Sequence, residues 1–176
     1  HTLYAMHYIQ KYSNIKDELD NAHKLETMNS TLPQEKTVYY LKSPLYSVKI
    51  RALRALYGSD LKPSAVKAVL HELRYGEYTT AYFAAILLAD NGVSEAIPQI
   101  RKYLDSNDDH LVSTCMQALV KLKNKESYPQ IINIFKDSSS PQKLIQGANA
   151  LAGIHDITML KVLLDKFVEV LSQLNN

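Results

Sequence analysis

The 176-residue sequence contains little of what most recognisable protein chemistry requires. It has one cysteine, no tryptophan and five glycines, and its formal net charge is only +2. A single cysteine excludes an internal disulfide framework and a cysteine-based metal cluster, and it favours a reducing, cytoplasmic setting. The nearly balanced charge gives no indication of nucleic acid or an anionic membrane as a partner.

Long apolar stretches are missing as well. The longest run, AYFAAILLA at 81–89, is far shorter than the roughly 20 residues that cross a bilayer. No signal peptide is visible in the sequence. Because the chain opens on His1 rather than methionine, we expect it to be a piece of a longer product.

Catalytic patterns are also lacking. The six histidines show no i, i+4 metal spacing and no HExxH motif, and no glycine-rich phosphate loop occurs. Cys115 falls in a series of small residues, where a free cysteine behaves as a small hydrophobe rather than a nucleophile. We therefore expect no enzyme, no cofactor and no metal.

What the sequence does contain is an internal repeat of 31 or 32 residues. One row holds only small residues: Ala52, Ala84, Cys115 and Gly147. A second row is apolar and larger: Leu73, Leu104, Phe135 and Phe167. A third consists of Val69, Ile100 and Ile131. The rows keep step with one another, so each unit is expected to be one structural repeat.

Apolar periodicity and proline positions predict two helices in each unit. The first helices are expected at 45–57, 78–90, 109–122 and 141–153, and the second at 63–74, 95–104, 128–136 and 157–171. A further helix is expected at 34–42, with a degenerate partner at 15–28. The small residues of the first row would let the helix backbones approach closely.

The stretches VKIRALRAL (48–56), AAILLADNGVSEAIPQIRKYLDS (84–106) and CMQALVKLKNKESYPQIINIF (115–135) resemble short bacterial HEAT repeats. This resemblance implies an all-α, right-handed solenoid of about four helical pairs over 34–176, after an N-terminal helical cap at 1–33. The stretches SPLYSVKIRALRAL, GEYTTAYFAA and AIPQIRKYLDS are also similar to the HEAT tail of some bacterial major-facilitator-type transporters. An upstream membrane segment would then hold this chain at the cytoplasmic face of a membrane.

Solenoids generally bind through the concave face that their second helices form. On that face we expect a basic ridge, which consists of Lys67, His71, Arg74 and Lys102. The ridge is either an ordinary solvated surface or a contact for an acidic protein segment or an anionic headgroup. The favoured function is a non-enzymatic scaffold with a protein partner and no nucleic acid. The alternative is an enzyme on the same fold, of the DNA alkylpurine glycosylase or phycobilin lyase type.

The first residues carry a tyrosine stripe. Tyr4, Tyr8 and Tyr12 are spaced i, i+4, i+8, and Ile15 continues the stripe. The rings are expected either to cap the core of the first unit or to lie at a membrane interface, where tyrosine is enriched.

Overall fold

A computed structural model describes residues 33–174 and, before them, residues 14–17, 20 and 23. Throughout these residues every regular element is a helix, so the predicted all-α class is confirmed for the part of the chain described. The tyrosine stripe at positions 4, 8 and 12 lies outside the described residues. Among the helices that are described, none is both long and apolar enough to span a membrane.

The chain divides into two compact units, His1–Leu87 and Leu88–Asn176. The first contains α1 (Gln34–Tyr40), α2 (Tyr46–Ala55), α3 (Pro63–Tyr75) and most of α4 (Tyr78–Asp90), whose last residues belong to the second unit. In this unit α1 packs against both α2 and α3. Pro63 occupies the first turn of α3, where a missing N–H costs nothing because that N–H has no partner within the helix.

The second unit contains five α-helices after α4. They are α5 (Ile97–Lys102), α6 (Asp109–Lys121), α7 (Tyr128–Asp137), α8 (Pro141–Ala152) and α9 (Ile157–Leu174). Single 3₁₀ turns at Ser94–Ala96 and Tyr103–Asp105 flank α5, and another at Lys125–Ser127 precedes α7. Every helix bound in both units lies within three residues of the bound predicted from the sequence.

Helices of the second unit pack in a regular order. The first helices of two successive pairs, α6 and α8, lie against each other. The second helices, α7 and α9, do the same, and α8 also contacts both of them. The side-chain carboxylate of Asp108 accepts a hydrogen bond of 2.8 Å from the Leu111 amide and so caps the start of α6.

A residue in the left-handed region follows each of four helices. These residues are Gly58 after α2, Gly92 after α4, Lys123 after α6 and His155 after α8, with φ between 53° and 73°. Only two of them are glycine, although glycine is the residue that adopts this conformation without steric cost. The same turn therefore recurs at nearly the repeat interval.

Burial supports most of the predicted core. All four small residues of the first row are buried, as are the three residues of the third row and the first three of the second. A Cβ added to Gly147 would lie 2.9 Å from Cδ2 of Phe135, so α7 and α8 approach too closely at that point for any side chain. The small row is thus explained by close packing at its best-defined member.

Phe167 is the exception, and its assignment to the core was wrong: 60% of the residue is exposed. The preceding residue, Lys166, is buried instead, and its ammonium donates 2.6 Å to the Lys136 carbonyl and 2.8 Å to Glu169 Oε1. A cation is favourable at the carbonyl end of α7. Successive helical residues point about 100° apart, so burying Lys166 turns the Phe167 ring outward.

Candidate interaction surfaces

The predicted basic residues of the first unit share one face of α3. Lys67, His71 and Arg74 are exposed, and their i, i+4, i+7 spacing places them along one stripe. Ala65, Val69, Glu72 and Leu73 are buried on the opposite side. In the described part of the chain, neither Lys67 nor Arg74 has a carboxylate partner. We call Lys67, His71, Arg74 and the adjacent Tyr75 the α3 face.

Tyr75 adds an aromatic surface that the sequence reasoning did not identify. The residue is 75% exposed, and its ring centroid lies 5.0 Å from that of His71, with the planes tilted by 51°. Exposed tyrosine next to cations is typical of binding surfaces, because the ring buries apolar area while its hydroxyl stays hydrated. The i, i+4 spacing of His71 and Tyr75 was the signal that could have identified the pair.

Beneath the α3 face lies a buried carboxylate. Glu72 is only 2% exposed; Lys49 Nζ on α2 donates to its Oε1 at 2.8 Å, and His71 Nδ1 lies 3.8 Å from the same atom. Its second oxygen, Oε2, has no hydrogen-bond partner. Because a buried carboxylate is costly unless it is paired, the Lys49 contact stabilises the position of α3 against α2.

A polar depression of about 400 Å³ adjoins this pair, with Lys42, Tyr46, Glu77 and Tyr75 among its lining residues. Charges of both signs line it, and Glu72 Oε2 is turned away from solvent towards Gly76. The depression therefore has no single charge character that would select a small ion.

Lys102, the fourth predicted ridge residue, is exposed on α5 in the second unit. It is described with that unit, and its adjacency to the α3 face stays a prediction. A broader depression of about 760 Å³ in the same unit is lined by Lys123, Lys125 and His155 on one side and by the α8 residue Asn149. Lys121, which also lines it, is already paired with Asp90 at 2.6 Å.

Cys115 is buried within α6. Burial raises the pKa of its thiol from 9.0 to about 12, so the group is protonated at neutral pH. A thiol that is neither ionised nor accessible is a poor nucleophile. Among the described residues, no group of three or more histidine, cysteine, aspartate or glutamate side chains is placed to hold a metal ion.

The largest exposed apolar surface lies on α9, and the sequence reasoning missed it. Six large side chains there are between 43% and 79% exposed: Ile157, Leu160, Leu164, Phe167, Val168 and Leu171. Ile145 on α8 is exposed beside them, and together with Leu164 and Phe167 it lines a groove of about 490 Å³. We call these six side chains the α9 face.

The signal for the α9 face was present in the sequence. Its apolar residues recur at alternating steps of three and four, but the same helix also has apolar residues on its inner side, such as Val162 and Leu163. Periodicity alone does not tell which of two apolar faces packs inward. The 32-residue interval from Phe135 to Phe167 led to the wrong choice.

Comparison with known proteins adds no relative: no protein-family model matches the chain, and no curated protein matches it either. The resemblance to HEAT repeats therefore depends on the quoted stretches and on the helical pairs.

Proposed function

We propose that this chain is a HEAT-like scaffold without enzymatic activity, and that its α3 face binds an acidic segment of a protein partner. In this proposal its helices form a right-handed solenoid of about four pairs, capped by the N-terminal residues. The similarity to HEAT tails of bacterial transporters suggests its setting, a cytoplasmic module next to a membrane.

Three observations support the repeat. Successive pairs in the second unit pack first helix against first and second against second. The left-handed turn recurs after α2, α4, α6 and α8. The small row is buried at all four positions. A helical pair that cannot cover its own apolar face gains its stability from the next pair, which is how repeat arrays are held together.

The observation that carries the binding function is the absence of acidic partners at the α3 face. Other cations of the first unit are paired: Lys62 Nζ lies 2.7 Å from Glu35 Oε1, and Lys49 Nζ lies 2.8 Å from Glu72 Oε1. Lys67 and Arg74 lie on one stripe next to the exposed Tyr75 ring and have no such neighbour. Folding does not require this arrangement, whereas recognition of an acidic segment does.

The test is photo-crosslinking in the source cells. Benzoylphenylalanine replaces Tyr75 in the α3 face or, as the control, Tyr39 on α1, which is exposed to a similar extent at 70%. We expect an adduct from position 75 that position 39 does not give, and we expect the crosslinked partner segment to be rich in aspartate and glutamate.

Charge reversal then identifies the cause. Lys67→Glu with Arg74→Glu should abolish the adduct at position 75. The control pair Lys36→Glu with Lys125→Glu changes net charge by the same amount on exposed residues elsewhere and should leave the adduct intact. Raising the salt concentration should weaken the contact, because exposed charges are screened beyond about 10 Å at 0.1 M. An adduct that survives the reversal of Lys67 and Arg74 would rule out the α3 face as the binding surface.

The glycosylase and lyase alternatives make different predictions. A glycosylase of this fold would bind duplex DNA with an affinity that falls steeply as salt rises. A bilin lyase would take up a free chromophore and gain visible absorbance. Either result with the purified chain would replace the scaffold proposal.

A further inference from the structure

The α9 face has the spacing of a coiled-coil seam. Ile157, Leu160, Leu164, Phe167 and Leu171 are separated by steps of three, four, three and four, and the sequence continues this spacing to Leu174. These are the a and d positions of a heptad repeat, where apolar side chains insert into a facing helix. All five described side chains are exposed, so the seam has no facing helix in this chain's described residues.

The exposed area fits a stable protein interface. From their exposed fractions, the six side chains of the α9 face and Ile145 leave on the order of 700 Å² uncovered, against roughly 800 Å² that each partner contributes to a standard interface. A monomer rarely exposes a contiguous apolar patch of more than a few hundred Å². The inner side of the helix needs no further cover, because α9 already packs there against α7 and α8.

The pattern is complementary to itself. Read from Ile157 to Leu174, the steps are three, four, three, four and three, which is the same sequence in both directions. Two copies of α9 laid antiparallel therefore place Leu164 opposite Phe167 of the second copy, and Leu160 opposite its Leu171. A large ring meets a medium-sized side chain twice, and no two phenylalanine rings compete for one space.

Charge is also compatible with this arrangement. The outer edge of the seam carries Lys161 and Val168, and Lys161 is its one charged residue. In an antiparallel pair Lys161 lies next to Val168 of the second copy, along which its aliphatic stem can pack. The two Lys161 residues are then separated by about 13 Å along the axis, given a rise of 1.5 Å per residue. A parallel pair would instead place the two like charges side by side.

We propose that the partner of the α9 face is a second copy of this chain, joined by antiparallel packing of the two α9 helices about a two-fold axis. Such an isologous contact uses one patch twice and closes on itself. It does not depend on the α3 face, which remains exposed in the dimer for another partner.

Sedimentation equilibrium of the full chain tests the proposal over a range of protein concentrations. The wild-type chain should sediment at twice its mass of 19.9 kDa. Leu164→Lys should give the monomer, with an unchanged far-ultraviolet circular dichroism spectrum, because position 164 is already half exposed. The control Asp165→Lys introduces the same side chain one residue further along, outside the α9 face, and should remain dimeric.

A spin label at position 157, in a Cys115→Ala background, tests the orientation. Antiparallel packing separates the two labels by about 26 Å along the axis, whereas parallel packing brings them to roughly 10 Å. A wild-type monomer, a dimer that survives Leu164→Lys, or a short distance between the labels would each overturn the proposal. A monomer that binds zwitterionic vesicles through Leu164 would do the same and would assign the α9 face to a lipid surface.

Discussion

Replacing Gly147 by alanine tests the close approach of α7 and α8. In an ordinary helix this change stabilises by about 1 kcal/mol, because glycine is the poorer helix former. Here the new Cβ would lie 2.9 Å from Cδ2 of Phe135 and 3.4 Å from its Cβ. Phe135 is itself buried, so its ring has little room to move.

Overpacking a tight core contact costs about 1–3 kcal/mol, which exceeds the gain in helix propensity. We therefore expect Gly147→Ala to lower the free energy of unfolding by about 1 kcal/mol, or the melting temperature by about 2–4 °C for a chain of this size. Urea denaturation followed by circular dichroism measures the change, and the slope of the transition should stay constant. Asn149→Ala, at an exposed position of the same helix, is the control and should stabilise by a few tenths of a kcal/mol.

A second variant isolates the contact. In a Phe135→Leu background the ring is gone, and Gly147→Ala should then be neutral or stabilising, which gives a coupling of about 1–2 kcal/mol between the two sites. If Gly147→Ala stabilises the wild-type chain by the full helix-propensity amount, α7 and α8 are not closely packed, and the explanation of the small row fails.

Two other predictions concern buried polar groups. Cys115→Ala should cost less than about 1.5 kcal/mol at pH 7; because the raised pKa stabilises the fold only while the thiol is protonated, wild type should lose about 1.4 kcal/mol per pH unit relative to this variant between pH 9 and 12, by urea denaturation. A difference that does not change with pH would contradict the burial of Cys115. Lys49→Met should destabilise by about 3 kcal/mol, because it leaves the Glu72 carboxylate buried and unpaired, and adding Glu72→Leu should restore most of that loss. Equal stability of wild type and Lys49→Met would show that water already solvates Glu72.

The sequence predicted the helices well because their signals are local. Proline marks the first turn of α3 and α8, and apolar residues recur at helical spacing in between. The burial of Ala52 and Cys115 followed from a spacing that repeats along the chain. The exposed cations of α3 followed from their position opposite Val69 and Leu73, which is again a property of one helix.

The features that were missed depend on contacts between helices. The pairing of Lys49 with Glu72 joins positions 23 residues apart, and no periodic pattern connects them. The rotation of α9 is set by Lys166 reaching the Lys136 carbonyl, a side chain that hydropathy would place in solvent. The sequence therefore showed that α9 has two apolar faces, but the structure was needed to show that Phe167 lies on the outer one.

The proposed solenoid is tested most directly by a distance across the repeats. His71 and Asn133 occupy equivalent positions two repeats apart, and both are exposed. If the repeat continues regularly from α3 through α5 to α7, adjacent second helices lie roughly 10 Å apart, and these two positions are separated by about 20 Å. Spin labels at both sites in a Cys115→Ala background should give one narrow distance distribution, at about 20–30 Å once the label linkers are included. A broad distribution, or one centred beyond about 40 Å, would contradict a continuous stack of HEAT-like pairs.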